Sequence, residues 1–153
     1  MRPMIAHVTS KRTSVLFDLY VAGQLVNELV TREAERLGLK APAQILLWHV
    51  ALSGPLTPSE LERETGLRPS TLRERMQPLL EGELVRRVPS DRDRRSHRLE
   101  VTDLGWELLD AALPTVLNTE RALEAHLEGE LEEYRVPLER LVRAGQKALA
   151  DLT

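Results

Sequence analysis

Residues 57–102 read TPSELERETGLRPSTLRERMQPLLEGELVRRVPSDRDRRSHRLEVT, and the order of local signals along them decides the fold. Thr57, Pro58, Ser59 and Glu60 make a capping box with proline at the first helical position, which opens a short helix through Leu61 to Thr65; Gly66 closes it. A second helix runs from Pro69 to about Glu81, with Leu72, Met76, Leu79 and Leu80 at helical spacing on one face. Gly82 breaks that pattern. The segments LVRRV (84–88) and RLEVT (98–102) have the character of short strands, and the polar, turn-prone PSDRDRRSH between them predicts a hairpin with a long tip. Two short helices joined across Gly66 to Arg68 and followed directly by a hairpin form a winged helix-turn-helix.

Working outward, residues 11–37 carry apolar side chains three or four apart, as an amphipathic helix requires, and Gly38 supplies the stop. Pro42 suits a first helical turn, and Ile45, Leu46, Leu47, Trp48, Val50, Ala51 and Leu52 make the following helix apolar nearly all round, hence buried. From Asp103 the pattern is helical again, with Pro114 expected at a kink and Pro137 at a helix start. The expected fold is mainly α with a small β-hairpin (α+β), within a single domain spanning 1–153. A winged lobe at 39–102 is flanked by helical regions at 11–37 and 103–153, whose many leucines require a partner surface and so predict a homodimer.

At 153 residues the chain can bury a core of its own. It has no cysteine, which removes disulfides and thiolate metal sites. No apolar run approaches the roughly 20 residues that span a bilayer, so a soluble, cytoplasmic protein without a membrane partner is expected. The net charge of −3 is unevenly spread. Arg63 to Arg98 hold ten arginines against six acids, a balance of +4, whereas 99–153 hold five bases against twelve acids, a balance of −7. Only the middle of the chain is suited to approach a polyanion such as double-stranded DNA.

Steps of about 100° per residue place Ser70, Glu74, Gln77 and Glu81 of the second helix opposite its apolar face. Arg73 and Arg75 fall on the flanks, and Thr71 near the N-terminus. Ser70, Thr71, Arg73, Glu74, Arg75 and Gln77 are the candidate DNA contacts of this helix. Arg86, Arg87, Arg92, Arg94, Arg95 and Arg98 crowd thirteen residues around the hairpin turn, a density no fold requires. Guanidinium groups suit a narrow minor groove, and Asp91 and Asp93 can orient them, which makes Arg92, Asp93, Arg94 and Arg95 the candidate wing contacts. His7, His49, His97 and His126 share no helical spacing that pairs two of them, and the acids Glu128, Glu130, Glu132 and Glu133 lack His or Cys neighbours. No metal site, cofactor site or catalytic constellation is therefore expected.

These residues resemble the MarR family of bacterial regulators. That family's wing pattern, Asp-x-Arg-(Ala or Ser)-xxxx-Leu-Thr-xx-Gly, is met at Asp93, Arg95, Ser96, Thr102 and Gly105, with Val101 in place of the leucine. The helix-turn-helix resembles the family's in length and register. The resemblance implies that Arg95 enters the minor groove with Asp93 orienting it, while Ser70, Thr71 and Arg73 meet the major groove. It also implies a homodimeric, ligand-responsive repressor on a palindromic operator, with a small aromatic or anionic effector near Tyr20, Trp48, His49 and Trp106. Departures from the family pattern are Arg68 before Pro69, Glu74 where arginine is common, Pro78 within the helix, and Glu83 where a glycine is expected. They keep an alternative open, a winged-helix protein-interaction module with weak or no DNA binding.

Overall fold

The computed structural model describes residues 14–36, 38–90 and 96–152. Helix α1 spans Val15–Arg36; the expected ends at 11 and 37 lie outside the described residues. Gly38 then turns the chain at φ 73°, a left-handed value that favours glycine. Helix α2, Ala41–Ser53, has Pro42 in its first turn, where a missing N–H costs no hydrogen bond.

The expectation that α2 is buried all round needs correction. Ala43, Leu46, Leu47 and Val50 are buried, but Ile45 is 46% exposed and Leu52 82% exposed. The helix packs on α1, on the hairpin and on two later helices, and this ring of neighbours leaves a strip uncovered.

Helix α3, Pro58–Thr65, is built by the expected capping box. The Thr57 backbone N–H donates to Glu60 Oε2 at 2.8 Å, and the Glu60 N–H donates back to Thr57 Oγ1 at 3.2 Å. The Thr57 N–H, then the Thr57 hydroxyl, hold the Glu60 carboxyl below its ordinary range, and Arg98 and Arg63 add to the effect. Gly66 ends the helix in the left-handed region at φ 67°. Helix α4, Pro69–Glu81, follows at once, with Leu72, Met76 and Leu79 buried as their spacing requires.

Strands β1 (Val85–Pro89) and β2 (His97–Val101) pair antiparallel, with Val85 opposite Val101 and Pro89 opposite His97. Each differs by one residue from the expected 84–88 and 98–102. Thr102 leaves the ladder because its side chain caps the next helix, α5 (Asp103–Glu124), accepting from the Gly105 N–H at 3.1 Å. Leu56 adds a short third backbone to the sheet by exchanging two hydrogen bonds with Leu99.

Pro114 lies inside α5, which continues past it to Glu124. A 3-10 turn at Leu131–Tyr134 leads into α6, Arg135–Asp151. Pro137 is its third residue rather than its start, still within the turn whose N–H groups need no intrahelical partner.

One apolar core joins α2, α3, α4, the hairpin and the first half of α5, with Leu47, Leu61, Leu79 and Leu109 at its centre. Among the described residues, α1 and α6 contribute no buried side chain. No described helix is long and apolar enough to cross a membrane.

Candidate nucleic-acid interface

The foot of the hairpin is fixed by three hydrogen bonds that meet at Thr102. The Thr102 hydroxyl donates to the Glu83 carbonyl at 2.6 Å while accepting from Gly105, and the Thr102 N–H donates to the Leu84 carbonyl at 3.1 Å. Gly105 lets α5 closely approach Leu84, just before β1, and Val101, at the end of β2. A Cβ there would sit 2.2 Å from Leu84 O and 2.7 Å from Val101 Cγ1. Thr102 and Gly105, two members of the wing pattern, thus act through packing and fix where the hairpin leaves the lobe. Glu83 has φ 54°, so the position where glycine was expected does need left-handed backbone, and a side chain occupies it under strain.

Helix α4 carries the six candidate reading residues. Ser70, Arg73, Glu74 and Gln77 are exposed, and Thr71 and Arg75 are half-buried. They do not form one patch. Arg73 and Gln77 border a cleft of about 530 Å³ facing the hairpin. Thr71, Glu74 and Arg75 border another, of about 600 Å³, facing Gly38, Lys40 and Pro42.

Arg68, Arg73, Glu74 and Arg75 make no ion pair with any described residue. No side chain caps the N-terminus of α4, which leaves its first N–H groups without a side-chain acceptor. Gln77 is less free, because its amide donates to Glu81 Oε1 at 2.7 Å.

On the hairpin, the ladder is extended by the Ser90 N–H donating to the Ser96 carbonyl at 3.2 Å. Arg92, Asp93, Arg94 and Arg95 lie between these residues and outside the described ones. The hairpin arginines nearer the lobe are sorted by face. Arg86 is held across the strands by Glu100, its Nε and Nη2 both 2.8 Å from the same carboxylate oxygen. Arg87 lies on the inner face, opposite Leu99. Arg98 has a buried Nε with no hydrogen-bond partner among the described residues.

The four effector candidates are dispersed. The Tyr20 hydroxyl, on an exposed turn of α1, accepts from Gln24 at 2.9 Å. Trp106 is 47% exposed in the first turn of α5. Trp48 is partly buried against the core, and its indole N–H and the Oε1 of Gln44, one turn earlier, are buried without partners among the described residues. His49 Nε2 lies 2.9 Å from Glu64 Oε2 and ties α2 to α3.

Two features here leave no trace in the sequence pattern. Gln44 escapes notice because a lone amide in an apolar helix carries no periodic signal. The link from α6 into the lobe, where Gln146 Nε2 donates to the Glu64 carbonyl at 2.8 Å, joins residues 82 positions apart.

The model of the MarR family matches residues 37–96. No curated protein matches the sequence. Among solved structures, apo wild-type MarR from E. coli is similar at TM-score 0.71 and 17% identity, covering 86% of this chain and 98% of that one. A cysteine-to-serine mutant of E. coli MarR complexed with operator DNA has TM-score 0.72 and 15% identity, covering 92% and 99%. The M. tuberculosis transcriptional regulator MosR in complex with DNA has TM-score 0.71 and 22% identity, covering 89% and 98%. The winged-helix fold expected from 57–102 is borne out. So is the family resemblance read from the hairpin.

Proposed function

We propose, from a winged lobe that matches the MarR family, that this chain is a DNA-binding transcriptional regulator, acting in the cytoplasm as a homodimeric, ligand-responsive repressor on a palindromic operator. One observation carries the reading: Arg68 at the cap of α4 and Arg73 and Arg75 within it have no ion-pair partner among the described residues, and Arg73 stands beside an arginine-rich hairpin whose foot is fixed by Thr102. Unpaired guanidinium groups at the edge of an exposed helix are suited to phosphates, and Ser70, Thr71 and Gln77 are suited to base edges. By resemblance to the family, Arg92, Asp93, Arg94 and Arg95 are assigned to the minor groove.

The dimer is supported by the apolar side chains that α1 and α6 leave uncovered, Phe17 and Leu25 on one and Leu141 and Val142 on the other among them. A two-fold axis through these helices would set two α4 helices about one turn of DNA apart, roughly 34 Å. The effector reading rests on the orphaned pair at Gln44 and Trp48, which offers a buried acceptor and donor to a small polar aromatic. The exposed Glu74 favours the second reading, a protein-interaction module, because a carboxylate on the reading face repels phosphates.

Gel shift with duplexes tiled across the DNA upstream of its own gene separates the two. Binding that weakens steeply as salt rises, and falls about tenfold or more in Arg95→Ala with unchanged thermal unfolding, is the expected result. Arg95→Ala binding as tightly as wild type removes the wing assignment, and no shift with any tile favours the interaction module.

A further inference from the structure

The cleft between α4 and the inner face of the hairpin has a feature that the DNA-binding reading leaves unused. Its floor is apolar, formed by Leu72, Met76 and Leu99. Its rim is charged: Arg73 from α4, Arg87 from β1 and His97 from β2 stand around it with Glu62 of α3 and Glu81 of α4. The strand register explains the convergence. Leu99 faces the core directly across from Arg87, and His97, two residues before it on β2, shares that face by the period of two. Arg86, on the opposite face, is already taken by Glu100. Arg73 and Arg87 have no ion-pair partner among the described residues, whereas Glu81 accepts from Gln77.

The rim therefore carries two fixed positive and two fixed negative charges. Its sign is decided by one titratable group, His97, and no other histidine lines it. We propose that this cleft seats a backbone phosphate of DNA between Arg73 and Arg87, and that protonation of His97 tightens its hold.

The proposal rests on the DNA-binding reading and adds to it one contact residue, Arg87, and a dependence on pH set by the neighbouring His97. A phosphate beside an imidazole favours the charged ring, and by linkage the charged ring favours the phosphate. Affinity for DNA is therefore expected to rise on acidification, as the imidazole takes up its proton. Glu62 and Glu81 also favour the charged ring, and Arg73 and Arg87 oppose it. Bound phosphate offsets the two arginines.

The test is fluorescence anisotropy of the full chain on a labelled mixed-sequence duplex of about 30 base pairs, at about 50 mM salt, between about pH 7.5 and 5.5. Wild type is expected to gain about tenfold in affinity on acidification, and the gain should shrink as salt rises. H97Q should match wild type at the upper pH and lose most of the gain. R87Q should bind more weakly at both ends of the range. His97→Asn repeats the measurement if thermal unfolding reveals that H97Q has disturbed the hairpin.

A gain in H97Q and His97→Asn equal to that of wild type, or R87Q binding as tightly as wild type, overturns this assignment while leaving DNA binding intact. Failure of wild type to bind duplex anywhere in the range overturns the DNA-binding reading and this proposal with it.

Discussion

Leu61 and Leu79, in the two short helices of the lobe, are fully covered, whereas Leu16 on α1 and Leu152 beyond α6 are 77% and 85% exposed. The two regions have similar leucine-rich sequences and opposite fates. In the lobe, α3 and α4 meet at the turn through Gly66, the hairpin closes over them, and α2 and the start of α5 supply the remaining wall. Apart from the strip of α2 at Ile45 and Leu52, the apolar faces there are covered by neighbouring elements of the lobe. The flanking helices leave most of theirs uncovered. Helix α1 rests on parts of α2 and α5, and α6 reaches the lobe through the Gln146 hydrogen bond and the approach of Leu149 to Gly66.

The lesson concerns what a single chain can complete. Burial of a leucine or valine is worth about 1.5–3 kcal/mol, and the flanks forgo this many times over unless a second copy covers them.

Two substitutions probe the finished half of this comparison. The larger effect is expected at Gly105, because Gly105→Ala forces a methyl into the Leu84 carbonyl and the Val101 side chain. A loss of about 3 kcal/mol in urea unfolding is expected. Stability equal to wild type would mean that the lobe and α5 are less closely locked than the geometry indicates.

A smaller and opposite effect is expected at Glu83, whose left-handed backbone burdens a non-glycine residue. Glu83→Gly should gain about 0.5–1 kcal/mol by relieving that strain, less the entropy glycine adds to the unfolded chain. A loss of stability would show that the Glu83 side chain contributes more than its backbone costs.

Much of the lobe was legible because its signals are local. The capping box at Thr57 and Glu60, the breaks at Gly66 and Gly82, and the spacing of Leu72, Met76 and Leu79 each lie within one helical turn or its end. Position 83 was legible in a subtler way. The family pattern asks for glycine there, and the left-handed backbone shows why.

Tertiary facts were not legible. The exposure of Ile45 and Leu52 depends on which neighbours α2 happens to have, and the continuation of α5 past Pro114 to Glu124 could not be read from the residues alone. Hydrogen-bond partners were hidden for the same reason: that Gln77 donates to Glu81 and that His49 lies beside Glu64 is seen only in the folded chain. In the sequence Arg87 was one of the clustered arginines and His97 one of four histidines with no partner at helical spacing. Only the register of the hairpin sets them on the inner face, apart from Arg86.

The contrast between a finished lobe and unfinished flanks is tested most directly by sedimentation equilibrium of the full chain from nanomolar to tens of micromolar concentration. Covered flanks predict a species of twice the 17.3 kDa chain mass that dissociates only at the dilute end. A single species of one chain mass throughout, with unchanged helix content, would contradict the account.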